Sequence, residues 1–167
     1  MRRYENVFSS SLVAAALAVP LLFANPARVM AADVVGKGDA VDGDTIVVAK
    51  KRFNLEGIDA PELDQRCVWP NGEIPCGDIA RTALLDLVAG ARVTCRPEGT
   101  DAAGETIGRC AADGFDIGGN MVHTGWALAD RQTGKNYLDI ERRAETAKRG
   151  LWKGKFVTPR DWRAGKR

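Results

Sequence analysis

The stretch that decides the fold is residues 42–62, which read DGDTIVVAKKRFNLEGIDAPE. Its run 45–48 is β-branched throughout and follows Asp42-Gly43, a pair that favours a hairpin turn. After a second turn, the apolar residues Phe53 and Leu55 recur at the two-residue period of another strand. The stretch therefore predicts two strands that lead into a rigid, proline-containing turn.

The rest of the chain alternates strand and helix patterns. We predict strands over residues 91–96 and 107–112, and helices over residues 77–89, 117–123 and 137–149. Five short strands around one long helix, with two further helices behind, favour a small closed β-barrel with helical cover. The predicted fold class is α+β, as a single domain over residues 33–153 with a basic tail over residues 154–167.

The first 32 residues have the three-part pattern of a secretory signal peptide. A basic start precedes the almost wholly apolar residues 12–24, and small side chains follow for cleavage after Ala31 or Ala32. Thirteen apolar residues at ~1.5 Å each span about 20 Å, less than the ~30 Å of a membrane core, which disfavours an anchor. We therefore expect the protein to be secreted or periplasmic, and free of the membrane once residues 1–32 are removed.

Composition and charge exclude some classes of protein and point to a basic C-terminal end. The chain has 167 residues, of which 45% are hydrophobic and 28% charged, and this excludes a mainly disordered chain and a multi-span membrane protein. Residues 142–167 carry ten Lys or Arg against two acidic residues, whereas residues 33–141 carry eleven against nineteen. The basic end is either a binding surface for a polyanion or a solvated helix and tail, and charge alone does not decide between them.

The four cysteines all lie beyond the predicted leader, and an even count there favours disulfides in an oxidising compartment. Three connectivities are possible. We favour Cys67–Cys76, which closes a short loop, and Cys95–Cys110, which joins two predicted neighbouring strands. The alternative is a zinc site, but the sequence has no Cys-x-x-Cys and its only histidine is His123.

Three carboxylates stand in two short motifs. Asp44 lies in Asp-Gly-Asp-Thr, and Asp59 and Glu62 lie in Gly-Ile-Asp-Ala-Pro-Glu. Taken singly, each residue fits an ordinary turn or cap. Together, one carboxylate on a hairpin and two on a rigid turn can converge on one cation, and oxygen ligands suit Ca²⁺.

The order of these motifs resembles that of the staphylococcal-nuclease-like (thermonuclease) family. The shared pattern is Asp-Gly-Asp-Thr, a strand, Gly-Ile-Asp-Ala-Pro-Glu, a helix, Gly-Arg, Gly-Trp-Ala and Gly-Leu-Trp, over about residues 35–153. The resemblance implies a five-stranded OB-fold barrel with three helices. It also implies Ca²⁺-dependent hydrolysis of DNA and RNA phosphodiester bonds, with nucleic acid as the substrate.

The resemblance also implies roles for individual residues. Asp44 and Asp59 match the calcium ligands, and Ala60 matches a position that supplies only its backbone carbonyl. Glu62 matches the general base that orients or deprotonates the attacking water, and Arg109 matches an arginine that holds the phosphate. These roles make chemical sense, because a cation polarises a phosphoryl oxygen, an arginine fork binds phosphate and a carboxylate takes a proton.

One position departs from the family pattern. Asn54 stands where the resemblance implies a second arginine, so it brings a hydrogen-bond donor and no charge. Loss of one electrostatic partner costs a factor of roughly 10²–10³ in rate, which predicts reduced activity. Arg52, two residues back on the same strand face, is either a substitute or a solvated turn residue. Arg131 is a candidate phosphate contact where the family's stacking tyrosines are replaced.

Three functions compete at this stage. The first is an exported nuclease of reduced activity, and the second is an OB-fold module that binds nucleic acid or metal without cleavage. The third is a disulfide-stapled interaction domain. Asn54 favours the second function, whereas the intact set of carboxylates and Arg109 favours the first. Nothing in the sequence demands more than a monomer.

Overall fold

The structure is a computed structural model that describes Met1 and residues 31–167, so the leader predicted over residues 1–32 lies almost wholly outside the described residues. Within residues 31–167 the chain forms eleven strands and four α-helices. The strands are β1 (Val34–Gly36), β2 (Gly38–Ala40), β3 (Thr45–Val48), β4 (Lys51–Leu55), β5 (Ile58–Asp59), β6 (Cys67–Trp69), β7 (Gly72–Ile74), β8 (Val93–Thr100), β9 (Thr106–Ala112), β10 (Phe115–Asp116) and β11 (Leu128–Ala129). The helices are α1 (Cys76–Val88), α2 (Ile117–Thr124), α3 (Leu138–Thr146) and α4 (Pro159–Arg163), with 3-10 turns at Lys135–Tyr137 and Gly150–Lys153. None of the helices in this part of the chain has the length and apolar character needed to cross a membrane.

The main sheet is a continuous hydrogen-bonded path in the order β1-β8-β9-β4-β3-β2, with β10 added beside β9. All its pairs are antiparallel except that of β4 with β9. The end strands β1 and β2 are consecutive in the chain, and β1 also contacts β3, so the sheet curls back toward its start. Two small sheets, β5 with β11 and β6 with β7, lie outside this path.

The α+β class in one compact unit over Ala31–Arg167 is confirmed, but two details differ from the expectation. The ladders form an open path where a closed five-stranded barrel was expected: β1 pairs with β8 and β2 with β3, and although only Lys37 separates β1 from β2, no ladder joins these two strands. The described residues also contain four α-helices where three were expected. The additional helix, α4, lies in the segment expected to be a basic tail.

The predicted hairpin is formed by β3 and β4, which pair from Thr45 opposite Asn54 to Val48 opposite Lys51. Its two turn residues, Ala49 and Lys50, have φ of 48° and 68°. Positive φ at both positions is the signature of the tight turn that matches strand twist, although Asn-Gly is the usual sequence for it. The hairpin places Asp44 next to the start of β3 and close to the end of β4, since the backbone N–H of Leu55 donates to the Asp44 carbonyl at 2.8 Å.

The core lies between the curled sheet and the helices, with Phe53, Ile46, Leu84 and Met121 fully buried. Both expected disulfides are present in the structure. Cys95 and Cys110 face each other in the β8–β9 ladder, with Cα atoms 4.1 Å apart. Cys67–Cys76 joins β6 to the first residue of α1 and belongs to a second buried cluster that contains Leu151.

Residues 154–167, which we call the C-terminal strap, pack on the loop that follows β5. Lys155 and Val68 exchange two backbone hydrogen bonds of 2.8 Å, and the buried Gln65 side chain donates to the Val157 carbonyl at 2.7 Å. The Thr158 hydroxyl caps α4 by accepting from the backbone N–H of Asp161 at 3.2 Å. The strap is therefore an ordered part of the domain surface, and α4 lies close to the proline-containing turn.

Candidate active site

The two acidic motifs are joined by one hydrogen bond. Asp44 Oδ2 accepts from the backbone N–H of Ala60 at 2.7 Å, across 16 positions of sequence. The Asp44 carboxylate also lies 3.4 Å from the Thr45 hydroxyl, which donates to its Oδ1. Asp44 is thus hydrogen-bonded to the turn that carries Asp59, and we call Asp44, Asp59 and Glu62 together the acidic site.

The Asp44 carboxyl lies in a surrounding that disfavours its charged form. Burial, followed by the negative charge of Asp42, raises the pKa of Asp44 from 3.8 to about 8, and Asp59 adds to the effect. The hydrogen bond from Ala60 acts in the opposite direction. Such a site is unfavourable for a carboxylate without a counter-ion, and a cation would favour the charged form.

Asp59 and Glu62 are placed by the turn after β5. Asp59 is paired with Leu128 in the β5–β11 ladder, and the fully buried Pro61 fixes the chain between the two carboxylates. The start of α1 supports this turn closely, because a Cβ atom on Gly77 would lie 1.8 Å from the Glu62 carbonyl oxygen. Only glycine permits this approach, so the helix start and the turn are packed backbone to backbone.

An arginine that the sequence did not single out forms hydrogen bonds with both of these carboxylates. Arg163 in α4 donates from Nη2 to Asp59 Oδ1 at 2.9 Å and from Nη1 to Glu62 Oε1 at 2.6 Å. Its side chain is 48% exposed, so the guanidinium remains open to solvent on one side. The signal available in the sequence was the excess of basic residues after position 142, but a charge count does not say which of them reaches the site.

Asn54 lies at the edge of the site and is held by neutral and acidic neighbours. Its amide donates to Asp101 Oδ2 at 2.9 Å, and its side-chain oxygen accepts from the Thr45 hydroxyl at 3.3 Å. Because that hydroxyl also reaches Asp44, position 54 is one side chain away from the acidic site. A longer, charged side chain at this position would therefore face the site.

The other arginines considered from the sequence each have carboxylate partners of their own. Arg109 pairs with Glu56 at 2.5 Å and more distantly with Glu98 at 3.9 Å, and the hydrogen bond to Glu56 raises the pKa of Arg109. The remaining pairs are Arg52 with Asp42 at 3.9 Å and Glu105 at 3.7 Å, and Arg131 with Glu141 at 2.6 Å. Glu141 is buried and also accepts from the Ala129 N–H, so it holds Arg131 in place.

A cleft of ≈ 210 Å³ adjoins the acidic site between β11 and the strap. Asp59 and Arg131 line it, together with Thr158, Arg160 and Asp161 of the strap. Arg160 is held there by an ion pair with Asp130 at 3.5 Å. The cleft thus combines three carboxylates, those of Asp59, Asp130 and Asp161, with the two arginines Arg131 and Arg160.

The donors at the site are suited to a hard cation. Asp44, Asp59 and the Ala60 carbonyl are oxygen ligands of the kind Ca²⁺ prefers, and the pKa of Asp44 is raised first by burial and then by the charge of Asp42. Within residues 31–167, no group of three or more His, Cys, Asp or Glu is arranged to hold a metal. The side chains of this site therefore offer two carboxylates and not a complete cage.

Comparison with known proteins identifies the family of the chain. The family described as staphylococcal nuclease homologue matches residues 52–154. A "Succinoglycan biosynthesis protein ExoI" of Rhizobium meliloti (strain 1021) is 33% identical over 125 residues, which are 72% of this chain and 65% of that protein. The "Probable staphylococcal-like nuclease CAN2" of Oryza sativa subsp. japonica is 32% identical over 127 residues, which are 74% of this chain and 32% of that protein.

The chain therefore spans less than two thirds of the length of either of these curated relatives. The family match, in contrast, covers more than half of the chain and includes the Gly-Ile-Asp-Ala-Pro-Glu turn and Arg109. On this evidence the chain belongs to the staphylococcal nuclease homologue family.

Proposed function

We propose that this protein is a Ca²⁺-dependent nuclease that hydrolyses phosphodiester bonds of DNA or RNA. The observation that carries the proposal is the hydrogen bond from the Ala60 N–H to Asp44, which unites the two acidic motifs at one point. Membership of the nuclease family and the raised pKa of Asp44 support it, because both fit a cation held by carboxylates. The side chains of Asp44 and Asp59 and the Ala60 carbonyl would hold the ion, and water and substrate would complete its coordination.

The chemistry divides among the residues of the site. When bound, Ca²⁺ supplies Lewis-acid polarisation of a phosphoryl oxygen. Glu62 accepts the proton of the attacking water, whose oxygen bonds to phosphorus as one ester P–O bond breaks, and the leaving alkoxide oxygen takes a proton from solvent water to become a hydroxyl. Arg109 donates to a phosphate oxygen once it is drawn from Glu56, since a guanidinium fork fits phosphate well.

Two further arginines have outer roles in this proposal. Arg131 lines the cleft beside Asp59 and contacts a neighbouring phosphate of the strand. Arg52 forms an ion pair with Asp42 at the edge of the site. It adds positive potential near the site but does not contact the three carboxylates. Both side chains are about half exposed, so their contributions are screened by solvent and salt.

The two disulfides agree with an oxidising, extracellular compartment. We propose export by a cleaved leader over residues 1–32, a nuclease domain over residues 33–153 and a monomeric product, either secreted or periplasmic. The C-terminal strap, residues 154–167, then belongs to the site and is more than a tail, since Arg163 contacts Asp59 and Glu62.

A non-catalytic module that binds nucleic acid or metal is the second candidate function. Asn54 favours it, because this position brings no charge and is tied to Asp101. The test is to incubate the purified protein with plasmid and single-stranded DNA, with Ca²⁺ or with a chelator. We expect cleavage with Ca²⁺ only, whereas binding without cleavage would select the module.

A further inference from the structure

We propose that Arg163 binds the phosphate under attack, and so supplies from the C-terminal strap a positive charge that position 54 lacks. The inference rests on the proposed function, because it takes the site of Asp44, Asp59 and Glu62 to be the reaction centre. The residue proposed here comes from a different part of the chain than the other site residues. Arg163 lies outside the two acidic motifs, outside the family match and more than 100 positions from Asp59.

Position is the first argument. One guanidinium donates to Asp59 at 2.9 Å and to Glu62 at 2.6 Å, so it lies between the proposed cation ligand and the proposed base. A phosphate that is held by a cation on Asp59 and attacked by water on Glu62 must lie within a few ångström of both carboxylates. Arg163 is therefore within reach of its oxygens, and its planar fork suits two of them.

Charge is the second argument. Arg109 pairs with Glu56, and Arg131 with the buried Glu141, so their partners lie outside the three-carboxylate centre. The partners of Arg163 are carboxylates of the centre itself. If Asp59 held a divalent ion, that charge would weaken the attraction between Asp59 and Arg163, and the guanidinium would be free to pair with the incoming phosphate.

The anchoring of the strap is the third argument. Three contacts tie it to residues 64–68, which directly follow the turn of Glu62. Val68 pairs with Lys155, Gln65 donates to Val157, and the Trp162 indole donates to Asp64 at 3.1 Å. These contacts hold the backbone next to Arg163 in place, so its side chain is positioned for the site and less entropy is lost on phosphate binding.

The test compares Arg163→Ala and Arg163→Gln with Lys166→Ala, a charge-removing control that lies beyond the end of α4 and whose ammonium, among the described residues, pairs with Asp161 and no other carboxylate. Three quantities are measured on the whole protein: Ca²⁺ affinity by calorimetry, cleavage of single-stranded DNA, and affinity for a dinucleotide with a non-hydrolysable methylenephosphonate link. We expect kcat to be lower by roughly 30-fold or more in both Arg163 variants, and their affinity for the dinucleotide to be about tenfold weaker. Ca²⁺ affinity should be kept or increased, because a competing cation is removed, and Lys166→Ala should behave as the parent.

The outcomes separate this inference from the proposed function. A parent that binds the dinucleotide through Arg163 but cleaves nothing would retain the inference and remove the nuclease proposal. Unchanged dinucleotide affinity in both Arg163 variants would overturn the inference, as would a parent that does not bind the dinucleotide. Faster cleavage by the Arg163 variants would also overturn it, because the strap would then be inhibitory. Near-ultraviolet circular dichroism of each variant shows whether the fold is retained.

Discussion

The site is built from two regions that differ in how the chain encodes them. The segment from Asp44 to Glu62 brings its carboxylates together through a short hairpin, and its key contact, from Ala60 to Asp44, spans 16 positions. The C-terminal strap brings Arg163 to the same carboxylates across 101 and 104 positions. The first region is a local motif with recognisable spacing, whereas the second depends on how the whole domain packs.

This difference separates the expected consequences of mutation. The hairpin region carries the acidic groups themselves, so changes there should affect cation binding directly. The strap is held by a buried glutamine, a β-bridge and one indole hydrogen bond. Changes to these contacts should therefore act by displacing Arg163 from the acidic site. The predictions below test this division, from the largest expected effect to the smallest.

Asp44→Ala should abolish measurable Ca²⁺ binding and lower cleavage by at least about 10²-fold, because it removes a proposed ligand. Asp44→Asn should have the same effect on Ca²⁺ while its amide oxygen still accepts from the Ala60 N–H. Calorimetry and a plasmid assay measure both quantities. Undiminished Ca²⁺ affinity in the two variants would contradict the assignment of the hairpin region as the cation site.

Gln65→Leu should destabilise the protein by about 2 kcal/mol, because it leaves the Val157 carbonyl and the Glu62 N–H without their side-chain partner. Cleavage should fall while Ca²⁺ affinity stays near the parent value, since the strap is displaced and Asp44 is not. Urea unfolding measures the free energy of unfolding. The control is the exposed Gln132→Leu, for which a change within about 0.5 kcal/mol is expected.

Asn54→Arg should raise cleavage at saturating Ca²⁺ at least tenfold, roughly 1.4 kcal/mol of transition-state stabilisation, because it adds charge beside Thr45 and Asp44. The gain should be larger in the Arg163→Ala background, where the other charge is missing. If Arg52 already supplies the positive charge that Asn54 lacks, Arg52→Ala will lower cleavage as much as Arg109→Ala does. Asn54→Arg will then raise cleavage little. An inactive parent that stays inactive with Asn54→Arg, with Ca²⁺ bound, favours the binding module.

The smallest expected effect concerns pH in the absence of metal. The pKa of Asp44 is raised from 3.8 to about 8 by burial and by Asp42, so the folded chain binds this proton more tightly than the unfolded chain. Its stabilising contribution is therefore full below about pH 4 and is lost as pH rises toward 8. Melting temperatures in chelator should show a steeper fall over this range for the parent than for Asp44→Asn. Parallel profiles would show that Asp44 titrates normally.

Several parts of the molecule followed from local sequence. The hairpin of β3 and β4, helix α1 and the pairing of Cys95 with Cys110 agree with the predictions to within a residue or two. Helix α3 was predicted to reach residue 149 but ends at Thr146, with Lys148 at φ 50°. Helix ends depend on caps and packing as well as periodicity, which explains why they were placed less well.

The ion pairs of the arginines could not be read from the sequence. Arg131 was considered as a phosphate contact, yet its partner is the buried Glu141, ten positions further along. Arg163 had no assigned role, yet it contacts two of the three predicted acidic residues. An arginine has a long side chain and several possible partners, so its place is decided by whichever carboxylate the fold brings within reach.

The sequence by itself determined the acidic motifs and the family, and it favoured the cysteine pairing that the structure contains. These depend on short spacings, alternation along strands and turn residues, all of which act over a few positions. Only the tertiary structure decided the open path of the sheet, the order of the C-terminal strap and the contact of Arg163 with Asp59 and Glu62. Those features arise from contacts between segments far apart in the chain, and such contacts form only when the shared core is packed.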